Sequence, residues 1–120
     1  MAMVVTSPLS FDAVLSTLKA AGEETRLRIV ALLAEGELTV SDLTDILGQS
    51  QPRISRHLKL LSDAGLVGRN REGAWAFFRL ETRGSGATLA QALAASLDRN
   101  DAILAADRAR LAAVSAARTK

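Results

Sequence analysis

Leu38-Thr39-Val40-Ser41-Asp42-Leu43-Thr44-Asp45-Ile46-Leu47-Gly48-Gln49-Ser50-Gln51-Pro52-Arg53-Ile54-Ser55-Arg56-His57-Leu58-Lys59-Leu60-Leu61 is the stretch on which the fold turns. Thr39 with an acid three residues later, Asp42, is a capping-box-like start. It opens a short helix over about Val40 to Leu47, with Leu43, Ile46 and Leu47 inward. Gly48 closes it, and only Gly48, Gln49 and Ser50 precede another helix start. Ser50 can cap, and Pro52 suits a first turn, where its missing N–H costs nothing. This next helix is expected over about Gln51 to Ala64, with Ile54, Leu58 and Leu61 on its apolar face and Gly65 as its stop. Two short helices joined by a tight, glycine-containing turn make a helix-turn-helix.

Away from that apolar face the second helix carries Gln51, Arg53, Ser55, Arg56 and Lys59. All five are hydrogen-bond donors, and Gln, Arg and Lys reach base edges as well as phosphates. A solvated face is the plainer reading of such a set. The distribution of charge moves the balance towards a polyanion. The net charge is only +2. Residues 1–48 sum to −4, residues 49–83 to +4 and residues 84–120 to +2. The basic segment therefore coincides with the second helix and the residues just after it, which puts double-stranded DNA ahead as partner.

Beyond Gly65 the period drops from 3.6 to about 2. Leu66 to Asn70 and Ala74 to Leu80 read as two short strands around the turn Arg71-Glu72-Gly73. A hairpin in this position is a wing, and Arg69 and Arg71 near its tip suit phosphate or minor-groove contact. On the second strand Trp75, Phe77 and Arg79 share one face and Ala76, Phe78 and Leu80 the other. Trp75 and Phe78 are expected to seal the hairpin onto the helices.

Towards the N-terminus two further helices are expected. The first spans about Leu9 to Ala20, started by Ser7-Pro8 or by Ser10, with Phe11, Val14, Leu15 and Leu18 on one face. The second spans about Glu23 to Ala34, with Glu23 and Glu24 favourable at its positive end. Leu27, Val30, Ala31 and Leu33 or Ala34 are its expected inward face. Towards the C-terminus Gly84-Ser85-Gly86 reads as a flexible joint. From about Thr88 the chain is alanine-rich, with Leu89, Leu93, Leu97, Leu104, Leu111 and Val114 in a stripe that Asn100 interrupts. One helix of roughly thirty residues would be about 45 Å long and would need a partner chain or domain to cover it. A free-standing linker helix is the alternative. The expected architecture is mainly α with a small β-hairpin, in the order α-α-α-α-β-β-α. Residues 1–83 form the DNA-binding unit, and residues 84–120 a short linker and a long helix for dimerisation or for connection to a further domain.

Several classes of chemistry have no material here. The 120 residues include no cysteine, so disulfides, thiolate ligands and cysteine nucleophiles are absent. His57 is the only histidine, which leaves no catalytic pair and no histidine metal cluster. No cofactor, metal site or enzymatic activity is expected. No secretory leader or apolar run of membrane-spanning length is found, so a soluble cytoplasmic protein with no membrane partner is expected.

The block from Leu18 to Leu80 resembles the ArsR/SmtB-type winged-helix transcriptional repressors. The resemblance lies in Thr25-Arg26-Leu27-Arg28-Ile29, in Glu37 to Leu43, in Ser50 to Leu61, in Ala64-Gly65-Leu66-Val67 and in Arg71-Glu72-Gly73-Ala74-Trp75. It implies a homodimer joined through its first and last helices, with two recognition helices in successive major grooves of an operator that is expected to be an inverted repeat. Phosphate contacts are then expected from Ser50, Arg53, Lys59, Arg69 and Arg71, and base contacts from Gln51, Ser55 and Arg56. His57 either touches a phosphate or bridges to the neighbouring helix. Metal-sensing relatives place a Cys-x-Cys pair where Thr39 and Ser41 stand, and hydroxyls are poor ligands for soft metals. Asp98, Asp101 and Asp107 are expected to be solvated. The releasing signal is then neither metal nor thiol chemistry. The alanine-rich tail also resembles the connector of longer relatives that carry an S-adenosylmethionine-dependent methyltransferase-like domain, and a regulatory module of such a protein is the second reading.

Overall fold

Four side chains start the first four helices in the same way, each accepting the backbone N–H three residues ahead. In this computed structural model, which describes residues 8–118, Ser10 caps α1 (Phe11–Ala21) and Glu23 caps α2 (Glu24–Leu33). Thr39 caps α3 (Val40–Leu47), and Ser50 caps α4 (Gln51–Asp63). Each satisfies an amide that the helix cannot satisfy internally. At α3 the box is complete: Asp42 N–H donates to Thr39 Oγ1 at 3.1 Å and Thr39 N–H to Asp42 Oδ2 at 2.9 Å. Ser7, the other candidate start of α1, lies outside the described residues.

The core lies where α2, α3, α4 and the base of the hairpin meet. Ile29, Leu32, Leu43, Ile46, Ile54, Leu58, Leu61 and Leu66 are fully buried there. The inward faces expected for α3 and α4 are the observed ones. That of α2 is not. Ile29 and Leu32 are more deeply buried than Leu27, because α2 packs against α1, α4, α5 and α6 and is covered on several sides.

The hairpin pairs β1 (Val67–Glu72) with β2 (Trp75–Leu80), from Val67 opposite Leu80 to Glu72 opposite Trp75. Its turn is tighter than expected. Gly73, at φ +61°, takes the left-handed position, so two residues suffice and Arg71 and Glu72 extend the strand. Leu38 N–H donates to the Phe78 carbonyl and Phe78 N–H to the Leu38 carbonyl, at 3.0 and 2.8 Å, which clips β2 to the loop between α2 and α3. Phe78 seals the hairpin as expected, but Trp75 does not. Trp75 lies on the opposite face near the tip and is 61% exposed.

The single long C-terminal helix is also corrected. The segment folds as α5 (Ser85–Ser96) and α6 (Ala102–Arg118). Leu97 is extended, and the carboxylates of Asp98 and Asp101 accept the amides of Asn100 and Ile103 at 2.9 and 3.0 Å. Asp-Arg-Asn-Asp is turn chemistry, and bending lets both helices pack rather than project. Nor is Gly84-Ser85-Gly86 a joint: α5 begins there, with Ala87 and Ala90 buried. A Cβ on Gly86 would stand 2.3 Å from the Gly65 carbonyl oxygen, so the close approach of α5 to the end of α4 needs glycine. α6 runs across α2 and α3, with Leu111 and Val114 against the core.

Asp107 also departs from expectation. Asp98 and Asp101 are exposed, but Asp107 is buried. Arg28 of α2 donates to both its oxygens, Nε to Oδ2 at 2.9 Å and Nη2 to Oδ1 at 2.8 Å. Hydrogen bonding to Asp107 holds the Arg28 guanidinium above its already high ordinary pKa, against the opposing effect of burial.

Candidate nucleic-acid interface

Because Ile54, Leu58 and Leu61 face the core, the helical period turns the rest of α4 outward. Gln51, Arg53, Arg56 and Lys59 are exposed there, and Ser55 is half-buried. Gln51 Nε2 donates to Ser55 Oγ at 3.0 Å, so the two polar side chains are paired in the absence of another partner. Lys59 Nζ pairs with Asp63 at 3.1 Å, one turn on, in an exposed contact of small energetic weight. Ser50 Oγ accepts from the Arg53 amide at 3.4 Å and so holds the start of the helix.

On the hairpin Arg69 and Arg71 lie on one face of β1 and are exposed. The base of the hairpin is tied to the end of α4: Leu66 N–H donates to the Leu61 carbonyl at 3.0 Å, and Glu81 N–H to the Leu66 carbonyl at 2.9 Å. Arg53, Arg56, Arg69 and Arg71 form no ion pair with another described residue. Four solvated, uncompensated guanidiniums on one helix and the strand after it suit a polyanion.

The rear of α4 is braced, and most of this bracing lies beyond what the sequence pattern predicts. His57 is half-buried, and Arg26 Nη1 stands 3.1 Å from its Nδ1. Guanidinium can only donate, so Nδ1 accepts and the ring proton sits on Nε2. Burial pushes the His57 pKa down; Arg26, Arg53 and Arg56 add to this, while Glu23 at 3.8 Å opposes it. For Glu23, burial raises the pKa but is outweighed by the amides of Arg26 and Thr25 and the charges of His57 and Arg26, and its carboxyl lies below the usual range. Gln49, in the turn, donates to Thr25 of α2 at 2.9 Å, and Thr17 of α1 donates to the Ala64 carbonyl at 3.2 Å. The structure thus shows the bridging arrangement for His57, with Arg26 as the bridge. Arg26 and His57 are 31 residues apart, and no local pattern signals their contact.

Thr39 and Ser41 do different things. The Thr39 hydroxyl is engaged in the capping box, while Ser41 is exposed. Among the described residues no helix is long and apolar enough to cross a membrane.

Four capped helices, the last two forming a helix-turn-helix, with a two-stranded hairpin clipped beside them, define a winged helix-turn-helix protein. The family model described as bacterial regulatory protein, arsR family, matches residues 23–68. The arsenical resistance operon repressor of Escherichia coli K12 is 49% identical over 73 residues, which are 60% of this chain and 62% of that relative, a little under two thirds of its length. Among solved structures, the homodimeric winged helix-turn-helix DNA-binding domain of a possible ArsR-family regulator from Mycobacterium bovis is similar at TM-score 0.62 and 32% identity, over 70% of this chain and 74% of that one. The transcriptional repressor BigR from Xylella fastidiosa is similar at TM-score 0.60 and 35% identity, over 68% and 80%. The chain belongs to the ArsR family of bacterial regulatory proteins.

Proposed function

We propose that this protein is a homodimeric, sequence-specific DNA-binding transcriptional repressor of the cytoplasm, released by a signal that is neither a metal nor a thiol reaction. The observation that carries this is the set of four guanidiniums without ion pairs among the described residues, Arg53, Arg56, Arg69 and Arg71, displayed by a helix braced from behind and by the hairpin beside it. Arg53, Lys59, Arg69, Arg71 and the helix start at Ser50 hold phosphates. Gln51, Ser55 and Arg56 read base edges, and His57 keeps the helix in place through Arg26. Phe11, Leu15 and Leu18 leave an exposed apolar face on α1, Phe11 being 81% exposed, and a second copy of the chain covers it. Two-fold symmetry then asks for an inverted repeat in the operator. A sequence without cysteine, in which the Thr39 hydroxyl is engaged in the box, supports a signal other than soft metals.

The second reading, a regulatory module ahead of a methyltransferase-like domain, rests on the alanine-rich tail. α6 folds back over α2 and α3, which favours the first reading.

Titrating a duplex selected from a random library, and an unselected duplex, at several salt concentrations tests the proposal. Specific binding with a steep salt slope is expected. Arg56→Ala is expected to cost about 1–3 kcal/mol on the selected site and to relax specificity there. Equal weakening on both duplexes would make Arg56 a phosphate contact, and no binding at low salt would sink the reading.

A further inference from the structure

α6 does not seal fully against its neighbours. Between it, α5 and the second half of α2 lies a groove of about 250 Å³. Ala31, Leu32, Ala94, Leu97 and Leu104 supply an apolar wall. Two arginines also line it. Arg99 is paired with Glu35 at 3.1 Å. Arg108 forms no ion pair with another described residue. One of its terminal nitrogens donates to the Arg99 carbonyl, and its Nε is buried with no hydrogen-bond partner among the described residues. A buried donor on a charged group is costly to leave unmatched.

We propose that this groove is an effector site for a small carboxylate with an apolar body, its carboxylate accepting from the Arg108 guanidinium and its body lying on the alanine and leucine wall. The size fits, since an apolar cavity of about 150 Å³ takes benzene, and this groove has room for a ring or short chain with a head group. The charge fits as well. Glu35 and Asp107 also line the groove, and they disfavour a doubly charged phosphate more than a monoanion. Arg108 neighbours Asp107, whose pair with Arg28 fastens α6 to α2, and α6 continues on to α3 through Leu111 and Val114. Occupancy therefore bears on how α6 holds the helix-turn-helix. That regulatory half rests on the proposed function; the binding half does not.

The test titrates the full chain with benzoate, phenylacetate and hexanoate, and with neutral benzamide, while following side-chain methyl resonances. Saturable shifts of Ala94 and Leu104 with the carboxylates are expected, with benzamide at least tenfold weaker. Arg108→Gln is expected to weaken the carboxylates at least tenfold. Ala94→Phe, which fills the groove and keeps Arg108, is expected to abolish binding, and it carries the test if Arg108→Gln does not fold. No shift at millimolar carboxylate, shifts confined to α1, or equal affinity in folded Arg108→Gln would overturn the site. DNA affinity is measured alongside. Carboxylate binding at Arg108 with unchanged DNA affinity would keep the site and overturn its regulatory role. Absence of DNA binding by the ligand-free chain would instead overturn the repressor reading.

Discussion

The helix-turn-helix, α3 and α4, and the C-terminal pair, α5 and α6, are each two helices joined by a short bend, yet they are held by different means. In the first pair large apolar side chains, among them Leu43, Ile46, Leu58 and Leu61, are fully buried at helical spacing. Side-chain caps at Thr39 and Ser50 start both helices, and Gly48, at φ +65°, ends α3. In the second pair alanines are the buried residues of α5, no side chain caps it, and the bend is closed by Asp98 and Asp101 on backbone amides. α6 is tied to α2 by an ion pair between residues 79 positions apart. Leucine-rich stripes orient a helix through the area they bury. Alanine buries little on any face, so a single well-made polar contact can choose which face docks.

Core truncation in the first pair is the harshest way to probe this contrast. Leu58→Ala is expected to destabilise the chain by about 3 kcal/mol, within the usual range for a buried leucine, and to lower the urea midpoint of one cooperative transition. A cost under about 1 kcal/mol would mean that leucine packing is not what holds α4.

Asp107→Ala is expected to cost about 2–3 kcal/mol, somewhat less than breaking a fully buried pair, because the Arg28 side chain keeps 19% of its exposure. Hydrogen exchange should show α6 losing protection before α3 and α4 do. The double variant Arg28→Met, Asp107→Leu should recover most of the loss, since apolar replacement of a buried pair is often neutral. Loss of protection throughout the chain at once would show that α6 is as much a part of the cooperative core as α4.

The smallest effect is expected at the cap. Thr39→Ala should cost about 1 kcal/mol, and Thr39→Ser much less, read from the same urea curves. An Ala variant as stable as the parent would mean that packing alone sets the start of α3.

The same contrast separates what local sequence specifies from what it leaves open. The pattern predicts α3 over Val40–Leu47, where it is found, and α4 ends one residue short of the expected Ala64. Caps, glycine stops and a leucine period all act within a few residues of each other. Alternation along β2 sorts its side chains onto two faces but does not say how far along the strand the core reaches, and so the expectation fails for Trp75 and holds for Phe78. The break at residues 97–101 has a local signal in its acids and Asn100, which the strong helix preference of the flanking alanines obscures.

For the candidate interface, local pattern is enough to say which side chains of α4 face outward, because a helix with one buried stripe has only one way to present the others. It is not enough to find Arg26 behind His57, Gln49 on Thr25, or Asp107 on Arg28. Caps, stripes and turns are properties of neighbours along the chain and are written in residue order. The bracing of α4 and the docking of α6 depend on which distant groups are desolvated together, and that is settled only when the helices pack.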